Sequence, residues 1–262
     1  STDSLFQLIK SLEKSEKRNF KLYVKRNTAT EDLKITQLFD ALDKMPDYDE
    51  AQLLKKAKGV RKQQLSNLKA HLYRQILSSL RLIKEEDNID IRLHEQMDHA
   101  RILFNKGLYL QSLKVLERLK ETARAYQQLT YLQQALFFEK KIESLYITRS
   151  MQDRAEQLRL EADTVSAQLT LVNQLSNLAL QLYSWYIKHG HARNEKDIEN
   201  AHSFFKSHLP ADAISSRGFY ERLYLYQSYM WYAFIRQDFL QYYRYSQKWV
   251  DLFTEFPGLL KV

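Results

Sequence analysis

The chain contains no cysteine and very little glycine or proline, with five Gly and three Pro in 262 residues. The absence of cysteine excludes a disulfide framework, a thiolate metal site and a cysteine nucleophile. It fits a reducing compartment, and we expect the protein to be cytoplasmic. A β-sheet protein of this length would need many turns and therefore many more glycines and prolines. The composition thus indicates a helical chain.

No apolar run is long enough for a membrane helix, which needs about 20 predominantly apolar residues. The most apolar stretch, residues 169–187, is interrupted by four amide side chains, those of Asn173, Gln174, Asn177 and Gln181. We therefore expect no membrane partner.

Sequence motifs for catalysis are also missing. The chain has no GxSxG, GxGxxG or GxxxxGK[ST] motif, which argues against a serine nucleophile and a phosphate-binding loop. His94 and His99 would lie roughly 140° apart around a helix, too divergent to share a metal ion. His189 and His191 fall in a predicted loop, where solvated side chains are the simpler interpretation. We expect no enzyme, no catalytic residue, no cofactor and no metal site.

Several carboxylates in the middle of the chain stand close to lysine or arginine in the sequence. Glu139, Glu143, Asp153 and Glu156 all follow this pattern. Because oppositely charged side chains pair along exposed helix faces, the pattern predicts a solvated, ion-paired surface rather than an acid–base site.

Apolar residues recur every three or four positions through most of the chain, as in amphipathic helices. In the basic segment 61–84 they form one stripe of Leu65, Leu68, Leu72, Ile76, Leu77, Leu80 and Ile83. Thr2 or Asp3 can cap the first helix, and Asp49 a later one that ends near Gly59, because their oxygens accept from first-turn amides. The pattern predicts a helical N-terminal region over residues 1–87.

The strongest repeat signal lies in the segment HARILFNKGLYLQSLKVLERL, residues 99–119. Two helical stripes are separated by a short turn, so the two helices must be antiparallel. The segment resembles a tetratricopeptide repeat. Small Ala100 and Ser112 stand where two helices approach closely, and Gly107 and Tyr109 occupy the turn.

Later segments resemble the repeat less closely. Residues 225–256 have a plausible turn at 237–239, but Tyr242 replaces the small residue that the repeat pattern expects. Residues 179–190 and 197–209 are expected to form a further helix pair. The N-terminal segments SEKRNFKLYVKR and QLFDALDK also resemble a group of uncharacterised bacterial repeat proteins, for which no activity follows.

These resemblances imply an α-α superhelix of tetratricopeptide-like antiparallel helix pairs over residues 88–262, preceded by the helical region 1–87. Such arrays present extended concave surfaces that bind other proteins. We expect a non-enzymatic scaffold that holds a protein or peptide partner.

The net charge of +8 is partly clustered, because no acidic residue occurs between Glu50 and Glu85. If Lys21, Lys55, Lys62 and Lys69 share one face, they form a basic patch able to contact phosphates. The alternative function is therefore a nucleic-acid-binding or transcription-regulatory module. The simpler interpretation is a solvated basic face, since no recognition helix or stacking motif accompanies the lysines.

Aromatic residues are dense near the C-terminus and spread around the whole circumference of two predicted helices. Tyr224, Tyr232, Tyr243 and Trp249 are the candidate partner-binding residues of this region. Aromatic residues at helical spacing are usually core, but tyrosine and tryptophan also favour interfaces. Either these helices are covered on both sides by neighbouring helices, or part of the ring surface contacts a partner. No polar capping helix follows, so the chain is expected to dimerise through this end or to be a fragment of a longer array.

Overall fold

The computed structural model describes residues 3–26, 30–57, 60–83, 88–145 and 152–261. Over these ranges the chain forms α-helices and two short 3-10 helices and has no strand, which confirms the all-α prediction. Internal contacts divide the chain into two units, Ser1–Arg92 and Leu93–Val262. The predicted boundary at residue 87, Thr2 and Gly59 lie outside the described residues.

The described part of the first unit holds α1 (Ser4–Ser11), α2 (Lys14–Arg26), α3 (Thr30–Asp43), α4 (Glu50–Lys56) and α5 (Lys62–Ile83). Asp3 caps α1 through the Phe6 amide, and Asp49 caps α4 through the amide of Ala51. Helix α5 packs against α1, α2 and α3. The centre of the core is fully buried and includes Ile9, Phe20, Phe39, Leu72 and Ile76. Leu77 was expected on the same stripe but is exposed.

The second unit is built from the following helices: α6 (Ile89–Asn105, which begins just before Leu93), α7 (Tyr109–Ala125), α8 (Leu129–Leu145), α9 (Gln152–His189), α10 (Glu195–His208), α11 (Phe219–Ile235) and α12 (Phe239–Glu255). The two 3-10 helices are Ala211–Ser215 and Pro257–Lys261. Helix α8 packs against α7 and α9, and α11 packs against α9, α10 and α12.

Helix α9 is a single helix of 38 residues. The prediction of a separate helix over residues 179–190 is therefore wrong, because residues 179–189 are the C-terminal end of α9. Neither glycine nor proline occurs between Gln152 and His189, so nothing in this segment ends the helix. No helix in the described part of the chain is both long and apolar enough to span a membrane.

Three helix pairs of the second unit are joined by the same kind of turn, at residues 106–108, 126–128 and 236–238. The middle residue of each turn has a left-handed backbone, with φ of 76° at Gly107, 54° at Gln127 and 59° at Gln237. In the first turn the Leu108 amide donates to the Leu103 carbonyl at 2.9 Å, and the other two turns have the equivalent bond at 2.7 and 2.9 Å. This pattern is the Schellman motif, which satisfies the last carbonyls of a helix.

Helices α6 and α7 approach closely at two small residues, as the repeat pattern predicts. Ala100 and Ser112 are completely buried. The Ser112 hydroxyl donates to the Ala100 carbonyl oxygen at 2.7 Å. Phe104 extends the contact to both neighbouring helices, with its ring 5.3 Å from that of Tyr109 and 5.4 Å from that of Phe138.

Two oppositely charged side chains, Lys120 and Glu139, are buried where α7, α8 and α9 meet. Lys120 is 1% exposed, and its Nζ lies 2.6 Å from Glu139, 3.0 Å from Glu117 and 3.7 Å from Glu161. Glu139 also contacts Arg154 of α9. The prediction that Glu139 lies on a solvated surface is therefore wrong, because α9 covers it. A buried carboxylate is tolerated only when cations and hydrogen-bond donors surround it, and Lys120 and Arg154 meet this need.

Candidate partner-binding surface

A cavity of about 240 Å³ lies between α11 and α12. It is lined by Gln227, Met230, Trp231, Phe234, Tyr242 and Trp249, and we call it the aromatic cleft. Helical spacing explains the lining, since residues 227, 231 and 234 share one face of α11 and residues 242 and 249 share one face of α12. The lining is almost entirely apolar, with Gln227 as its one amide side chain.

Helix α9 contributes rings from the other side of α11. The Tyr183 ring lies 5.1 Å from that of Trp231, and the Tyr186 ring lies 5.1 Å from that of Phe234. Phe234 in turn lies 5.6 Å from Tyr242 of α12. The rings therefore form a continuous aromatic surface across α9, α11 and α12.

Exposed apolar side chains lie on the two helices that pack against α11, namely α9 and α12. We call this set the apolar rim; it comprises Leu180, Tyr183 and Ile187 of α9 and Phe239, Tyr243 and Val250 of α12. The members on each helix share one face by their spacing. Tyr243 is 69% exposed and Phe239 66%, so these rings project into solvent beside the cleft.

The exposed face of α9 in this region carries no charge. Residues 164–187 include no Asp, Glu, Lys or Arg, although 27% of all residues in the chain are charged. Exposed positions along this segment include Thr170, Asn173, Asn177 and Gln181. Cores of protein–protein interfaces are depleted of charged residues in the same way.

The four aromatic residues predicted to bind a partner are not exposed together. Tyr243 belongs to the apolar rim, and Trp249 lines the aromatic cleft. Tyr232 is buried, with its ring stacked on Phe205 at 4.2 Å. Tyr224 is half-buried and does not line the cleft. Of the four, the structure thus brings only Tyr243 and Trp249 to this surface.

A second cavity of about 240 Å³ lies on roughly the opposite side of α11 and has a mixed polar and aromatic lining. Its lining includes Tyr229, Tyr232, Arg236 and Tyr245. The Tyr232 hydroxyl accepts from Arg236 Nη1 at 2.9 Å and lies 2.6 Å from His202 Nδ1. Burial raises the pKa of the Tyr229 and Tyr245 hydroxyls above its ordinary value. Through its contacts with His202 of α10 and Arg236 of α11, the Tyr232 hydroxyl has a structural role between these two helices.

The lysines of the predicted basic patch differ in their surroundings. Lys55 and Lys62 are exposed. Lys21 lies 2.7 Å from Asp40, and Lys69 is paired with Asp3 and donates to the Tyr48 hydroxyl at 2.9 Å. Burial lowers the pKa of Lys69, but the bonds to Asp3 and Tyr48 more than offset this and raise it above its ordinary value. Two of the four cations are therefore already neutralised within the first unit.

The histidines considered as metal ligands make other contacts. His94 packs edge-on against Tyr131 at 5.0 Å. His191 Nδ1 lies 2.9 Å from the Phe234 carbonyl oxygen, and the Trp185 ring lies 4.9 Å from His189. Over the described ranges no group of three or more His, Asp or Glu side chains is placed to hold a metal ion.

Comparison with protein families, characterised proteins and solved structures gave no significant match. Assignment of function therefore depends on the surfaces of this chain alone.

Sequence reasoning missed most residues of the surface, including Trp231, Phe234, Tyr242, Tyr183 and Phe239. They could not be separated from core aromatics because α11 and α12 have rings around their whole circumference. One signal in the sequence could have found the α9 side, namely the absence of charge over residues 164–187.

Proposed function

We propose that this protein is a non-enzymatic scaffold of tetratricopeptide-like helix pairs, and that the aromatic cleft with its apolar rim binds a protein or peptide partner. The repeat character is supported by the contact between Ala100 and Ser112 and by the three equivalent Schellman turns. The binding function is carried by the rim, because large apolar side chains project into solvent beside an apolar cavity.

The size of this exposed surface supports binding. Each of the six rim residues exposes on the order of 100–150 Å², so together they present roughly 700 Å², divided between one strip on α9 and one on α12. The largest apolar patch of a typical monomer is about 300–600 Å² and is often functional. A standard interface buries about 800 Å² on each partner. The rim and cleft therefore have the area of one side of such an interface.

The chemistry of the surface defines the partner. An uncharged, aromatic surface gains binding energy by burying apolar area and gains little from opposite charge. The cleft can accept one apolar side chain, and Gln227 can hydrogen bond to a partner's backbone. We therefore expect the partner to present apolar side chains on one helical or extended segment.

The basic lysines provide less support for the alternative, nucleic-acid binding. Phosphate contacts need free cations on one face. The pairing of Lys21 with Asp40 and of Lys69 with Asp3 leaves Lys55 and Lys62 as the exposed pair. Nucleic-acid binding stays a prediction for the first unit.

A displayed peptide library selected against the full chain tests the proposal. Synthetic peptides from the selection would be titrated by intrinsic fluorescence, because all three tryptophans, Trp185, Trp231 and Trp249, lie in α9, α11 and α12. We expect micromolar Kd values that rise about tenfold or more in Tyr243→Glu, since loss of an interface aromatic has an effect of this size.

Phe137→Glu is the matched control, because Phe137 is 62% exposed on α8 and is not part of the rim. Its Kd should equal that of the unchanged protein. Two results would contradict the proposal: a selection that gives no peptide with a Kd below about 100 µM, or equal weakening by both substitutions.

A further inference from the structure

The apolar rim and the aromatic cleft contain the two complementary halves of one contact. Phe239 and Tyr243 project from α12, and the same helix lines the cavity with Tyr242 and Trp249. A surface that carries both a projection and a matching recess is self-complementary. Two-fold dimers need this property, because each residue pair of the interface occurs twice.

The distribution of charge also favours a contact between two copies of the chain at this surface. Two copies that each carry a net charge of +8 repel one another, so a contact between copies is best formed where cations are absent. The α9 segment 164–187 contains no charge, and none of the six rim side chains is charged. A partner that binds through opposite charge would have no charged side chain to contact on the rim or on this segment of α9.

We infer that the partner on this surface is a second copy of this chain, bound as a two-fold dimer in which a rim aromatic ring of α12 enters the aromatic cleft of the other copy. This inference rests on the proposed function, because it names the occupant of the same surface. The roughly 700 Å² of the rim on each copy is close to the 800 Å² per partner of standard interfaces. Dimerisation then covers the aromatic rings of α12 that are exposed in the monomer.

Sedimentation velocity of the full chain from about 1 to 200 µM tests the inference, with light scattering to give the mass. We expect a dimer with a micromolar or tighter Kd. Tyr243→Glu and Phe239→Glu should each raise the Kd about 30-fold or more, the effect of removing a central aromatic contact. Phe137→Glu, with the same chemical change on α8, should leave the Kd unchanged. Circular dichroism melts of all variants show whether each remains folded.

Ionic strength gives a second measurement that does not depend on substitutions. An apolar contact between two basic chains should tighten as salt rises from about 50 to 500 mM, because salt screens the repulsion of the copies. Tryptophan emission should shift to shorter wavelength on dimer formation, and the shift should be absent in Tyr243→Glu.

The outcomes separate this inference from the proposed function. A monomer at 200 µM that still binds selected peptides through Tyr243 overturns the dimer and leaves the scaffold proposal standing. A dimer that survives Tyr243→Glu and Phe239→Glu, or one that weakens as salt rises, also overturns it, since the contact then lies elsewhere. A monomer that binds no peptide contradicts both.

Discussion

The Ser112 hydroxyl donates a hydrogen bond of 2.7 Å to the backbone carbonyl of Ala100, and both residues are fully buried. The bond ties the second helix of the pair, α7, directly to the backbone of the first, α6. Only small side chains fit here, so the contact sets the packing of α6 on α7.

This contact predicts an asymmetric response to substitution. Ala100→Leu should lower the free energy of unfolding by about 2–3 kcal/mol, because the larger side chain overpacks the contact. Ser112→Ala should cost about 1 kcal/mol through loss of one hydrogen bond. Urea unfolding followed by tryptophan fluorescence measures both, since all three tryptophans are in the second unit.

Ala167→Leu serves as the control, because Ala167 is exposed on α9. It should change stability by no more than about 0.5 kcal/mol. Equal effects of Ala100→Leu and Ala167→Leu would mean that the α6–α7 contact is not tightly packed.

The buried ions at Lys120 give a second prediction. Lys120→Met keeps the length of the side chain but leaves Glu139 in the interior without its cation at 2.6 Å. We expect a loss of about 3 kcal/mol in the free energy of unfolding, the usual effect of breaking one half of a buried pair. Adding Glu139→Gln to Lys120→Met should recover more than half of that loss, since no buried charge is then left at position 139.

Lys114→Met on the same helix is the matched control, because Lys114 is exposed. It should be neutral within about 0.5 kcal/mol. If the double variant is no more stable than Lys120→Met alone, the loss in Lys120→Met does not come from leaving the Glu139 carboxylate without its cation.

Lys69 predicts a pH dependence in the first unit. Its pKa is raised in the folded protein, so its stabilising effect is complete below the unfolded pKa of about 10.4 and is lost as pH rises through the folded pKa. At pH 8 we expect Lys69→Met to be about 1 kcal/mol less stable than the unchanged protein. That difference should shrink between pH 10 and 12 in urea unfolding followed by far-ultraviolet circular dichroism.

Lys62→Met controls for the general effect of alkaline pH, since Lys62 is exposed on the same helix. Its difference from the unchanged protein should stay near zero at every pH. A Lys69→Met difference that is the same at pH 8 and pH 12 would show that its ion pair with Asp3 does not contribute to stability.

The fold could be predicted from the sequence where local rules decide it. Asp3 and Asp49 cap helices as expected, because a cap depends on residues within one turn. The close contact of Ala100 with Ser112 was expected from the resemblance of residues 99–119 to a tetratricopeptide repeat. By contrast, Gln127 and Gln237 adopt a left-handed backbone at the ends of α7 and α11. Glutamine rarely adopts this conformation, so its presence in the sequence does not predict the turn as a glycine would.

The candidate surface could be predicted only in part, because burial depends on which helices are neighbours. Tyr232 and Tyr243 are the same residue type on consecutive helices, yet one is buried and the other is 69% exposed. The difference arises because α11 packs between α9 and α12, while one face of α12 has no helix over it in the described chain. The burial of Glu139 has the same origin, since it requires that residues 152–189 form one long helix.

Helix α9 is one long continuous helix, so a small tilt at one end produces a large displacement at the other. At 1.5 Å per residue its 38 residues span roughly 57 Å. Arg154, near one end, contacts the buried Glu139, and Tyr183, near the other, packs against Trp231 of the cleft. A tilt of only 5° about the Arg154 end would displace the far end by about 5 Å. The ring contact at the cleft and the charge contact with Glu139 therefore lie at opposite ends of one continuous helix.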